Sequence, residues 1–286
     1  MNKLGINLWN WQTGLCEECA GLVLKAADMG FTAVELPMTR TDVPEIIERE
    51  IRLSGLCVSL CAALGPGKDL SSFDPQIRNH TMDYVTECLK AGEKLGACVL
   101  CGPLYAGGGK RHRLSPGDQK REWDLAVTGL REAARRAGEC GMELSVEPLN
   151  RYRTSVVNTA AQAAELVRDI GADNVGIHFD TYHACLEERD LLEALEEALK
   201  SSRVNHFHAC ANNRGGPGQG LVPWKEVFRL LVKYGYKGHI TMETFAPGGL
   251  DSSWVQVHGD ADETALMGIG YLKGIFRELL GKEAGF

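Results

Sequence analysis

Eight short apolar runs recur along this chain, each followed by a longer amphipathic stretch, at about 36 residues per unit. They are LGINLW (4–9), TAVELP (32–37), CVSLCAAL (57–64), ACVLCGPL (97–104), MELSVEPL (142–149), VGIHFDT (175–181), VNHFHAC (204–210) and HITMETF (239–245). The stretches between them carry helix punctuation. DPQIRNHTMDYVTECLKAGEKLG places Asp74 as N-cap, Pro75 at the first helical position and Gly96 at the C-terminus. Residues 115–141 and 159–171 repeat the plan, both ending at Gly, and 262–280 gives a last helix. Eight strand–helix units predict a closed parallel barrel, the (β/α)8 or TIM barrel of the α/β class, as a single domain over residues 1–286. A doubly wound open sheet fits less well, because no G-x-G-x-x-G follows the first strand.

Composition narrows the partners. The net charge is −7 with no basic run, which disfavours nucleic acid. No window resembles a secretion signal or a membrane span, so the expectation is a cytoplasmic protein. The ten cysteines are then expected as buried thiols, including Cys16, Cys19, Cys98 and Cys101 of the two C-x-x-C spacings. The segments GPGKDLSSFD and LYAGGGKRHRLSPGD are long enough to be lids.

In such a barrel the chemistry collects at the carboxyl ends of the strands. Glu35, Glu147, Asp180, His208 and Glu243 stand there, the last four separated by 33, 28 and 35 residues. A single carboxylate at a strand end is ordinarily a loop salt bridge, and a single histidine an ordinary core side chain. Four on successive units are harder to assign that way. Carboxylates within apolar runs are costly unless paired or bound to a cation. Three carboxylates and one imidazole suit a hard divalent ion, Mn²⁺ foremost, with Mg²⁺ or Co²⁺ as alternatives. Such an ion would polarise a carbonyl and acidify the neighbouring C–H.

VEPLNRY (146–152), FDTYH (179–183), HACANNRGGPGQG (208–220) and METF (242–245) resemble the motifs of the ketose 3-epimerases, the tagatose/psicose 3-epimerase group of the xylose-isomerase-like barrels. The resemblance spans nearly the whole chain. It implies Glu147, Asp180, His208 and Glu243 as metal ligands, and Glu147 and Glu243 as the acid/base pair. One glutamate would remove the proton beside the carbonyl to give a cis-enediolate, and the other would return a proton from the opposite face. His183 and Arg214 match the substrate-contacting His and Arg. The resemblance also settles which of two histidines is the ligand: His208, with His206 and His178 one layer deeper as supporting or core side chains. It implies a homodimer or homotetramer acting on a small sugar. One position departs: the family commonly has glutamate six residues after its first metal ligand, and this chain has Arg153. That change points to an anionic or phosphorylated sugar, with Arg153 as a further substrate contact, or else to an outward surface pair.

The same site would also serve an aldose–ketose isomerase or a lyase of the inosose dehydratase type. A DNA-repair nuclease on this barrel would need histidines or carboxylates from strands three and four, which end in AALGP and CGPLY. A sugar-binding barrel would need neither a metal nor two opposed glutamates.

Overall fold

The computed structural model describes residues 2–62, 64–201, 203–249, 254, 255, 257 and 259–281. All eight predicted strands form: β1 (Lys3–Asn7), β2 (Ala33–Met38), β3 (Cys57–Ala62), β4 (Val99–Gly102), β5 (Glu143–Val146), β6 (Val175–Asp180), β7 (Val204–Ala209) and β8 (His239–Met242). Each pairs in parallel with the next, and β8 closes on β1. The outer ring comprises α1 (Cys19–Asp28), α2 (Glu45–Ser54), α3 (Pro75–Leu95), α4 (Pro116–Glu139), α5 (Ala160–Ile170), α6 (Thr181–Glu187), α7 (Leu191–Lys200), α8 (Trp224–Lys233) and α9 (Ala261–Leu280).

The punctuation works as the sequence implies. Asp74 accepts a hydrogen bond from Gln76 N–H, and Gly96 ends α3 at φ 67°, the left-handed conformation glycine adopts freely. Thr159 and Gln162 form a reciprocal capping box on α5. Short α6 has no counterpart in the predicted plan; Asp180 caps it by accepting from Tyr182 N–H.

The apolar core lies between barrel and helices, where Val34, Leu36, Leu60, Leu144 and Ile177 meet helix residues such as Ala133, Leu166 and Leu272. Inside the barrel the layers are polar. Register fixes them: Glu35 stands beside Asn7 on β1 and Ser59 on β3, while Asp180 pairs with His208 and His178 with His206. Since alternate residues of a strand share a face, these side chains converge on the barrel axis. Two expectations need adjustment. Of the cysteines expected to be buried, Cys98 is exposed, because it precedes β4 at the amino end of the barrel, and Cys16, Cys57, Cys140 and Cys185 are only partly buried. Glu147 and Glu243 each lie one residue beyond their strand, so they belong to the loops at the barrel mouth.

Candidate active site

A cavity of about 350 Å³ opens at the carboxyl ends of the strands, and Glu147, His183, Arg214, Glu243 and Arg153 all line it. Asp180 and His208 are buried beneath. Asp180, His208 and Glu243 offer one ligand atom each within 4.8 Å of one another. Glu147 joins that group through two overlapping sets, one with Asp180 and His183, the other with His178 and His208. The sequence-predicted residues are therefore brought together, and Arg153 lines the same cavity.

The polar floor rests on Glu35, which is fully buried. Its Oε1 accepts from Asn7 Nδ2 and His208 Nε2, both at 2.8 Å. Its Oε2 accepts from Ser59 Oγ at 2.8 Å and His206 Nε2 at 2.7 Å, with Cys101 Sγ at 3.5 Å. Burial alone would raise this carboxyl's pKa, but the His208 and His206 imidazoles and their hydrogen bonds hold it well below the usual range. Asn7 and Ser59 are its register neighbours, so the strand pairing itself supplies two of its donors.

Glu35 determines how His208 is used. With Nε2–H donated to Glu35, Nδ1 turns towards Glu243 Oε1, 3.4 Å away. That nitrogen is buried and has no hydrogen-bond partner. A buried imidazole nitrogen aimed at carboxylates is where a cation would take the place of a proton, and a ligating imidazole usually donates its other N–H to a carboxylate. Burial opposes a charge on His208, yet Glu35 and Glu243 outweigh it and raise its pKa well above the ordinary value. Its neighbour His178 is pushed the other way by burial and by the two nearby histidines. Its ring meets His208 edge-on with centroids 4.0 Å apart, so His178 packs as a neutral spacer.

The carboxylates above show the strain of sharing a dry site. Burial raises Glu147 well above the usual range, with Glu243 and Asp180 adding to the effect. Asp180 is pushed up to about 6, chiefly by burial. Arg214 relieves part of this. Its Nη1 donates to Glu243 Oε2 at 2.9 Å and lies 3.3 Å from Asp180 Oδ2. The guanidinium stacks over Tyr182, 3.6 Å from the ring centroid, and faces Phe245 at 4.8 Å. Arg214 reaches there from a tight turn: its own N–H donates to Ala211 O, and Ala211 N–H to Gly215 O. The turn holds Arg214 at φ 64°, a conformation that costs a non-glycine residue roughly 1–2 kcal/mol.

His183 is oriented by the loop after β5. Asn150 N–H donates to its Nδ1 at 3.0 Å, which leaves the imidazole proton on Nε2. Nε2 lies 3.3 Å from Arg214 Nη2, 3.8 Å from Glu147 Oε1 and 4.0 Å from Asp180 Oδ2, at the edge of the cavity. Trp9 and Phe245 stack 5.2 Å apart to give the cavity an apolar wall.

Sequence reasoning named Glu35 as a strand end without giving it a role, and missed Asn150, Tyr182, Trp9 and Lys68. Glu35 carried a signal: it sits in AVELPM, as apolar a setting as those of Glu147 and Glu243. The others depend on loop geometry that no local pattern encodes.

Comparison with known proteins agrees with this geometry. The family model for the xylose isomerase-like TIM barrel matches residues 23–273. A D-psicose 3-epimerase of Ruminiclostridium cellulolyticum is 31% identical over 274 residues, covering 92% of each chain. An L-ribulose 3-epimerase of Mesorhizobium japonicum is 27% identical, covering 88% of this chain and 84% of the relative. The crystal structure of D-psicose 3-epimerase with D-tagatose from Clostridium cellulolyticum H10 superimposes with a TM-score of 0.85 at 27% identity, covering 96% of this chain and 99% of that one.

Proposed function

Because the chain belongs to the xylose isomerase-like TIM barrel family, and within it to the ketose 3-epimerases, we propose that it inverts C3 of a ketose by metal-dependent proton transfer. One observation carries the reading. Two buried glutamates, Glu147 after β5 and Glu243 after β8, reach one cavity from different strands, with Asp180 and the unpartnered His208 Nδ1 between them.

The donor set fits a hard divalent ion. Glu147, Asp180, Glu243 and His208 Nδ1 would hold it, and Mn²⁺ suits three carboxylates and one imidazole best. When bound, the ion polarises the substrate carbonyl and lowers the pKa of the adjacent C–H. The proton traffic belongs to the chain. One glutamate takes the C3 proton, the sugar becomes a cis-enediolate, and the other glutamate delivers a proton to the opposite face. Burial, with like charge from Glu243 and Asp180 adding to it, raises the affinity of Glu147 for a proton, a property a general acid needs near neutral pH. The His183 Nε2–H and the Arg214 fork would donate to substrate oxygens. Trp9 and Phe245 keep the reacting carbon away from bulk water. This reading also carries the expectation of a cytoplasmic homodimer or homotetramer, which sedimentation would count.

The test is deuterium incorporation followed by NMR. Mn²⁺-loaded protein in D₂O should place deuterium at C3 of a ketose and produce the C3 epimer, and chelation should stop both. Label at C1 or C2 with an aldose product would assign an isomerase, and loss of water would assign a lyase. No exchange with any ketose, with metal shown to be bound, would refute the proposal.

A further inference from the structure

Two cysteine pairs share the C-x-x-C spacing, and the fold treats them in opposite ways. Cys98 precedes β4 and Cys101 lies within it. Extended chain advances about 3.3 Å per residue and turns successive side chains to opposite faces, so two residues three apart stand roughly 10 Å from one another and diverge. Cys98 Sγ accordingly meets Val58 O and His239 Nε2, both at 3.6 Å, whereas Cys101 Sγ reaches Glu35 inside the barrel. That pair cannot bridge.

Cys16 and Cys19 stand instead across the turn that opens α1. Cys19 N–H donates to Cys16 O at 3.1 Å, and Ala20 N–H donates to Glu17 O at 3.0 Å. A turn closed in this way holds its end Cα atoms within about 7 Å, the limit for a disulfide. The two sulfurs are already in contact, Sγ to Sγ 3.8 Å. Their surroundings differ. Cys16 is half-buried beside the exposed Glu17 and Glu18, while Cys19 is buried in the core beneath α1. Burial chiefly, with the Cys16 thiol adding to it, pushes the Cys19 thiol up to about 12. The second contribution goes once the Cys16 sulfur is bonded elsewhere, and contact between the sulfurs makes the remaining step intramolecular. One thiol is thus open to an incoming reagent and the other waits behind it, the arrangement that dithiol–disulfide exchange requires. The pair also sits against the active-site cavity. Leu15 N–H donates to Thr39 Oγ1 at 2.9 Å, Cys19 Sγ lies 3.7 Å from Gly14 O, and Thr39 lines the cavity.

We propose that Cys16 and Cys19 are a redox site that closes reversibly to a disulfide by exchange with a small-molecule disulfide. Cys16, as the thiolate, attacks one sulfur of the reagent, whose S–S bond breaks and releases one thiolate. Cys19 then attacks the Cys16 sulfur of the mixed disulfide and releases the second. The chain gives up two protons and two electrons, and the reagent leaves as two thiols. The cross-link ties the start of α1 to the loop that holds Thr39. This chemistry is independent of epimerisation.

The experiment incubates the folded full-length protein with 2-hydroxyethyl disulfide, a neutral reagent that the acidic flank does not repel, then blocks the remaining thiols and maps peptides by mass spectrometry. Trypsin releases residues 4–25, which contain Cys16 and Cys19 and no other cysteine. In the wild type this peptide should appear unblocked and two hydrogens lighter, and dithiothreitol added before blocking should restore two blocked thiols. Cys19→Ser should hold the reagent as a stable mixed disulfide on Cys16. Cys16→Ser should react at this peptide about tenfold or more slowly, because Cys19 is buried. Circular dichroism follows the fold throughout. A wild-type peptide that keeps both thiols, or that carries the mixed disulfide on Cys16 without closing, would overturn the inference, as would closure seen only after the fold is lost. The wild-type result decides the matter even where a variant fails to fold.

Discussion

Glu35→Gln tests the architecture under the site without touching a residue that faces the cavity. The carboxylate accepts from Asn7, Ser59, His206 and His208 at 2.7–2.8 Å. A glutamine offers one accepting oxygen and one NH₂ in the same space. At least one of the two imidazole N–H groups must then face an amide donor, or its ring must move its proton to the other nitrogen. If His208 does so, the proton lands on Nδ1, the atom that would bind the cation. Two hydrogen bonds to a charged acceptor, roughly 1.5–3 kcal/mol each, are weakened together. Supporting carboxylates of this kind are typically worth about 10–100-fold in metal affinity. Glu35→Gln should therefore fold with lower stability and bind Mn²⁺ about 10–100-fold more weakly. Metal titration followed by electron paramagnetic resonance would measure the affinity, and thermal unfolding with and without metal the stability. At saturating Mn²⁺ most of the exchange activity should return, because the glutamates are intact. A folded Glu35→Gln protein whose Mn²⁺ affinity lies within threefold of wild type would refute the reasoning, since His208 would then not depend on Glu35 for its tautomer.

Three further outcomes are expected. Glu243→Gln and Glu147→Gln should each lower epimerisation by about 10³-fold or more. Each should still exchange deuterium without inversion into the epimer whose C–H faces the surviving glutamate, and NMR of both epimers would detect this. The stabilising effect of Mn²⁺ should grow with pH. Asp180 moves from 3.8 to about 6 in the metal-free fold, a shift worth roughly 3 kcal/mol. Its contribution is present below pH 4 and lost as pH rises through 6, whereas the metal needs the carboxylate charged. The gap in Tm between loaded and chelated protein should thus widen from pH 5 to pH 8, and a constant gap would contradict the assignment. Gly107→Ala should destabilise the fold by about 1–3 kcal/mol, because its Cβ would press on Lys68 O; urea unfolding would read the effect.

What the sequence reveals and what it conceals divide along a physical line. The eight strands, the caps at Asp74 and Thr159, and four residues at strand ends are local facts, written in runs of side chains that alternate or repeat with the helical period. The grouping of Glu147, Asp180, His208 and Glu243 is also legible, because a closed parallel barrel leaves strand ends only one place to meet. Glu35 is different. Its burial can be suspected from AVELPM, but its role requires knowing that register sets it beside Asn7 and Ser59 and that it spans the barrel to β7. Lys68 is more distant still: nothing in GPGKDL says that a glycine of another loop will lie against its carbonyl. Arg153 joins the two cases. Its identity is visible at a position where the resembling family commonly has glutamate, yet its place on the cavity wall is set by loop geometry that no local pattern encodes. The strand ends thus specify the reaction by proximity alone. The loops from three successive strands, joined through Gly108 and Gly109, line the same cavity, and their residues can vary without disturbing the carboxylates.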